Sequence, residues 1–152
     1  EAKGAAPVSN ESVERAIARD LDRWWNSLGR EFGPLSRPQR RVLRTLADRE
    51  AAGQTTRVGD LAALLRLTTA GATRMLDTLE GLGYVRRYRA SGADQRQVYI
   101  ALAPPGVAAL AEADRAFYQQ VRASLAALGE SERRALADLL ARLDFTPAPD
   151  QP

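Results

Sequence analysis

Apolar residues recur along this chain at steps of three and four, interrupted by glycine, proline and two short runs with aromatic and β-branched residues. Val13, Ile17, Leu21, Trp24, Leu28 and Phe32 make one continuous stripe, which predicts a first helix capped by Ser9 or Asn10 and stopped at Gly33-Pro34. Trp25 lies about 100° around from Trp24, beside the stripe. Ser36 with Gln39 three residues on is a capping-box pattern, and Val42, Leu43 and Leu46 are the apolar positions of the helix it opens. AAGQT (51–55) reads as a loop and 55–58 as a short strand. A helix from residue 57 or 58 to Leu65 follows, then a second one capped by Thr68 and stopped near Gly83.

The remainder predicts a ribbon and two more helices. Residues 84–89 and 97–102 carry aromatic and β-branched residues and are joined by ASGADQR, a turn composition. Pro104 and Pro105 open a long helix with Val107, Leu110, Phe117, Val121, Leu125 and Leu128 on one face, broken at Gly129. Glu130 and Glu132 start a last helix whose apolar face is Leu136, Leu139, Leu140 and Leu143. The fold class is mainly α with a small β wing: a winged helix-turn-helix over 35–103, flanked by helices over 10–34 and 104–144. The flanking stripes must bury against each other, against the central domain or against another chain. Residues 1–9 read as disordered and 145–152 as a frayed tail.

In the helix-turn-helix, Leu61, Leu64 and Leu67 are expected to line one face, and Ala72, Leu76 and Leu79 the inward face of the following helix. That turns Thr69, Ala70, Gly71, Thr73 and Arg74 outward. A leading end that is small, hydroxylated and cationic can enter a DNA major groove without steric conflict. Arg86, Arg87, Arg89 and Arg96 follow on the ribbon, opposed by Asp94, and form a footprint for phosphate. Arg74 reads either as a base contact or as an ion-pair partner of Asp77 or Asp60. Asp77 and Glu80 read as structural partners, and Gly71 either as a site of tight helix packing or of close backbone approach to DNA.

Composition narrows the classes. The 152 residues suit one domain with a real core. With no Cys and no His, disulfides, thiol sensing and Cys/His zinc sites are excluded, and the commonest general base and the most reactive nucleophile are missing. Nothing looks like an active site, and no cofactor or metal is expected. The net charge of +3 is unevenly spread: residues 35–56 and 57–97 each carry +3, whereas 1–34 carry −1 and 98–152 carry −2. No apolar run suggests a membrane span and the first residues lack a secretory pattern, so cytoplasmic residence is expected.

LSRPQRRVL (35–43), DLAALLRL (60–67), ATRMLDTLEGLGYVRR (72–87) and DQR (94–96) followed by VYIALAPPG (98–106) resemble, in order and spacing, the MarR family of bacterial transcriptional regulators. The resemblance spans roughly residues 12–143. It implies a homodimer whose N- and C-terminal helices intertwine as dimerisation helices. It also implies a recognition helix carrying Thr69, Ala70, Thr73 and Arg74 into the major groove, with Thr68 at its cap. Asp94 and Arg96 fall on the family's wing Asp-x-Arg, in which the aspartate orients the arginine that probes the minor groove. Gln95 stands where many members have arginine, and Ala70-Gly71 where many have polar or branched residues, so base readout from this helix is expected to be sparse.

The resemblance further implies a repressor of a pseudo-palindromic operator, released by a small aromatic or phenolic ligand. Trp25 and Tyr118, with Arg40 and Arg44 as carboxylate partners, are the expected pocket residues; Trp24, Phe32 and Phe117 read as core or interface. The alternative is a winged helix used only for protein contact, against which stand the wing Asp-x-Arg and the central positive charge.

Overall fold

The computed structural model describes residues 10–89 and 97–143. The elements run α1 (Asn10–Ser27), β1 (Glu31–Phe32), β2 (Leu35–Ser36), α2 (Arg37–Ala51), β3 (Thr56–Arg57), α3 (Val58–Leu65), α4 (Thr69–Gly81), β4 (Val85–Arg89), β5 (Val98–Leu102), α5 (Pro104–Ser124) and α6 (Glu130–Ala141). The expected disordered start, the joining turn over 90–96 and the tail lie outside the described residues.

Local signals work where a side chain meets its own helix end. Ser36 Oγ accepts the Gln39 N–H, and Gln39 Oε1 accepts the Ser36 N–H at 2.9 Å, closing the expected capping box. Thr68 Oγ1 accepts the Gly71 N–H at 3.0 Å. At the other end of α4, the Tyr84 N–H donates to Leu79 O at 2.8 Å and the Gly83 N–H to Glu80 O at 2.9 Å, a Schellman stop. The sheet is antiparallel in the order β3-β5-β4, with Tyr88 opposite Tyr99. The core lies between α2, α3, α4, the sheet and the first half of α5, and centres on Leu35, Leu43, Leu46, Leu61, Leu76, Leu79 and Ile100.

Three expectations are corrected. The first stripe is not one helix to Phe32: α1 ends at Ser27, and Phe32 pairs with Leu35 in a hairpin around Gly33-Pro34. Gly33 has φ +55° and proline fixes a negative φ after it, the sign pattern of a type II′ turn, which suits a two-residue hairpin. Tertiary bonds hold the chain in this path, since the Gly29 N–H donates to Gln120 Oε1 at 2.7 Å.

In α3 the buried side chains are Leu61, Ala62 and Leu65, while Leu64 and Leu67 are exposed. Arg66 adopts left-handed φ 53°, so the helix ends at Leu65 and Leu67 leaves its register. Finally, α5 stops at Ser124 and buries Gly106, Ala109, Leu110 and Ala113, leaving Val107 exposed. Gly129 caps α6, its N–H bound by Glu132 Oε2 at 2.7 Å.

Neither α1 nor α6 buries any residue within the chain. Val13, Ile17 and Leu21 on α1, and Leu139, Leu140 and Leu143 at the end of the chain's described part, all face outward.

Candidate nucleic-acid interface

The second helix of the motif, α4, is set by its inward face. Ala72, Leu76 and Leu79 are buried, and at 100° per residue the line furthest from them carries Ala70, Arg74 and Asp77. Thr68, Thr69, Ala70 and Arg74 are exposed, with Gly71 and Thr73 half-buried. The hydroxyl of Thr73 donates to Thr69 O at 2.8 Å and that of Thr78 to Arg74 O at 3.0 Å. A Cβ at Gly71 would meet only Thr68 Oγ1, at 3.1 Å. No neighbouring helix presses on Gly71, so the packing alternative fails; the glycine gives room to the capping hydroxyl.

The acids near Arg74 are taken. Asp77 binds Arg87, with Oδ1 2.6 Å from Nη2, and Asp60 binds Arg57, whose N–H reaches Asp60 Oδ2 at 3.0 Å. Among the described residues Arg74 has no acidic partner, so neither of the two ion pairs that the sequence offered it is formed.

The three ribbon arginines within the described residues separate into two kinds. Arg86 and Arg89 are exposed, Arg86 lying over the Tyr88 ring at 5.2 Å. Arg87 points back to α4, where its guanidinium contacts both Asp77 and Glu80 and its N–H donates to Glu80 Oε1 at 3.1 Å. Burial lowers the Arg87 pKa, but the two carboxylates outweigh it and hold the group above its ordinary value. Arg87 therefore ties the wing to the recognition helix and neutralises two acids there, rather than offering a free charge. Asp94 and Arg96 lie outside the described residues.

The expected ligand residues are only partly brought together. A groove of about 480 Å³ between the end of α1, α2 and the helix-turn-helix is lined by Trp25, Phe32, Arg40, Arg44, Leu67 and Met75, among others. Tyr118 is not among them: it is exposed on α5, beside Val121, Leu125 and Arg133. Its place follows from the helical turn, since Phe117 is the residue that points inward, edge-on to Phe32 with ring centroids 5.2 Å apart.

Arg40 and Arg44 already share a carboxylate. Arg40 Nη2 lies 2.7 Å from Asp114 Oδ1, and Arg44 contacts the other oxygen. Arg40 also covers the Phe117 ring at 4.2 Å, and burial presses its pKa below the ordinary value without discharging it at neutral pH.

Sequence reasoning missed Arg37. Its guanidinium donates to the carbonyls of Trp25 and Gly29, each at 2.7 Å, and to that of Leu28, and it stacks over Trp25 at 4.6 Å. A cation so placed caps the C-terminal end of α1, where carbonyls are unsatisfied and the dipole is negative. No local signal marks this role.

Three helices with a tight turn before the last, followed by an antiparallel ribbon, define a winged helix-turn-helix. Residues 35–98 match the model of the MarR family. The whole architecture is that of the solved MarR-type regulators. A probable transcriptional regulator from Pseudomonas aeruginosa is 24% identical with a TM-score of 0.63, the match covering 87% of this chain and 96% of that one. MarR from E. coli in its apo form is 20% identical with a TM-score of 0.66, over 90% and 98% of the two chains. YusO from Bacillus subtilis is 19% identical with a TM-score of 0.67, over 91% and 99%. No curated protein matches the chain significantly in sequence. Among the described residues no helix is long and apolar enough to cross a membrane.

Proposed function

We propose that the protein is a DNA-binding transcriptional regulator that works as a homodimer, represses by occupying a pseudo-palindromic operator, and leaves it when a small aromatic molecule enters the groove beside Trp25. The observation that carries the reading is the outer line of α4, where small side chains and Arg74, which has no acidic partner among the described residues, stand clear of the core. Thr68, Thr69, Ala70, Gly71, Thr73 and Arg74 form the major-groove surface, and Arg86 and Arg89 supply phosphate contacts. Asp94 and Arg96 serve as the minor-groove pair at the wing tip. Arg87 belongs to this surface as its brace.

The unburied apolar faces of α1 and α6 support the dimer, because exposed Val13, Ile17 and Leu21 on one helix are costly in water unless another chain covers them. Two-fold symmetry then sets half-sites about one helical turn apart, roughly 34 Å. The groove supports the ligand reading because one wall is α1 and the other is the helix-turn-helix, with Leu67 just ahead of the Thr68 cap. Arg40 and Arg44 meet a ligand carboxylate only by sharing or losing Asp114.

The test is selection of the purified protein against random duplex DNA at physiological salt. The reading expects an enriched inverted repeat, bound with an affinity that falls steeply with salt. A protein that enriches no sequence would instead be a contact module built on the same fold.

A further inference from the structure

Resting on the DNA-reading function above, we infer that α4 reads each half-site as one guanine beside a thymine methyl, and that Arg74 supplies the bidentate hydrogen bonds of this code. The argument is one of elimination along the exposed face. Bidentate recognition of adenine needs Asn or Gln, and α4 (TAGATRMLDTLEG) contains neither. Cytosine N4 needs an acidic acceptor, and the one at hand, Asp77, is drawn back to Arg87. The hydroxyls of Thr68 and Thr73 are turned onto the helix backbone.

What remains is chemically narrow. The Arg74 guanidinium has no acidic partner among the described residues, and its planar fork matches guanine O6 and N7. Ala70 lies one turn before it on the outermost line, and Thr73 beside it. With the Thr73 hydroxyl engaged, the two present methyl groups, the surface that packs on the C5-methyl of thymine. The neutral, small side chains of Thr69-Ala70-Gly71 let this part of the helix lie close to the base edges without rejecting them by size.

The experiment runs the random-duplex selection in parallel for the wild-type chain and Arg74→Ala, then measures affinity for the enriched site carrying single base analogues. Arg74 is exposed and has no acidic partner among the described residues, so the variant is expected to keep its fold, checked by circular dichroism; the analogues test the wild-type chain without any substitution. The expected result is one guanine per half-site that vanishes from the Arg74→Ala consensus. 7-Deazaguanine at that position should weaken the wild type about tenfold or more and leave Arg74→Ala unchanged. Deoxyuridine at the adjacent thymine should weaken both proteins, by about threefold to tenfold. A guanine retained by Arg74→Ala, or a site indifferent to both analogues, overturns this readout and leaves the DNA-binding function standing. No enriched sequence with either protein overturns both.

Discussion

The backbone of Gly106, in the first turn of α5, lies directly against the carbonyl group of Tyr84. A Cβ on Gly106 would collide with the Tyr84 oxygen and sit 2.8 Å from its carbonyl carbon, while the same oxygen accepts the Ala103 N–H at 3.0 Å. This contact sets the start of α5 against the residue that precedes β4. Gly106→Ala is expected to cost about 2–3 kcal/mol or more, because backbone must move to admit one methyl group. Gly59→Ala in α3, where nothing stands within 4 Å, should instead be neutral or stabilise by up to about 1 kcal/mol. Thermal unfolding of the pair checks the contrast, and equal melting temperatures would refute it.

Arg37 holds the end of α1 to the domain through three carbonyls. Arg37→Ala should cost about 1–2 kcal/mol, and Arg37→Lys should recover little, since an ammonium cannot reproduce the planar fork. Tryptophan emission should change in both variants, because the guanidinium lies over Trp25. An unaltered spectrum in Arg37→Ala would remove the latch.

Arg87 neutralises Asp77 and Glu80 next to the reading face. Arg87→Gln should weaken DNA binding about tenfold at low salt, by leaving two carboxylates facing phosphate. Adding Asp77→Asn should restore a good part of that loss. If the double variant binds no better than Arg87→Gln, Arg87 acts by direct contact and not as a brace.

Asp60 accepts the Arg57 N–H at the start of α3, and that bond first, then the Arg57 guanidinium, holds its pKa below the ordinary value against a slight desolvation. A carboxylate depressed in the folded state stabilises fully above its unfolded pKa of about 3.9 and loses that contribution as pH falls through the folded value. Asp60→Ala should therefore cost at most about 1 kcal/mol at pH 7, with the gap from wild type closing below about pH 4. Urea titrations across that range measure it; a gap that widens in acid contradicts the assignment.

Ile17 is 53% exposed in the middle of α1. Ile17→Glu should leave the single-chain fold intact and abolish the dimer, read as a halved mass in sedimentation equilibrium. Wild-type protein that sediments as a monomer would remove the basis for two-fold operator symmetry.

The sequence by itself determined the reader. The capping box of Ser36 and Gln39, the Thr68 cap, the stop at Gly83 and the aromatic and β-branched content of both ribbon strands are encoded by residues a few positions apart, so they can be read without knowing the fold. Tertiary structure decided where these patterns stop and what the cations do. The stripe from Val13 runs in register to Phe32, yet the helix ends at Ser27, in a turn held by Gln120 and Arg37. Leu67 looks as buried as Leu61 until Arg66 turns left-handed, and Leu64 lies off the face that Leu61, Ala62 and Leu65 bury.

Arg74 and Arg87 are indistinguishable as letters, but Arg87 is spent on Asp77 and Glu80, while Arg74 has no acidic partner among the described residues. Tyr118 and Phe117 are neighbours, and only the helical turn separates the edge of the core from the surface. Local bonds are written in local spacing. The partner of a charge, the last turn of a helix and the room for a Cβ depend on residues brought together from far along the chain, and only packing selects them.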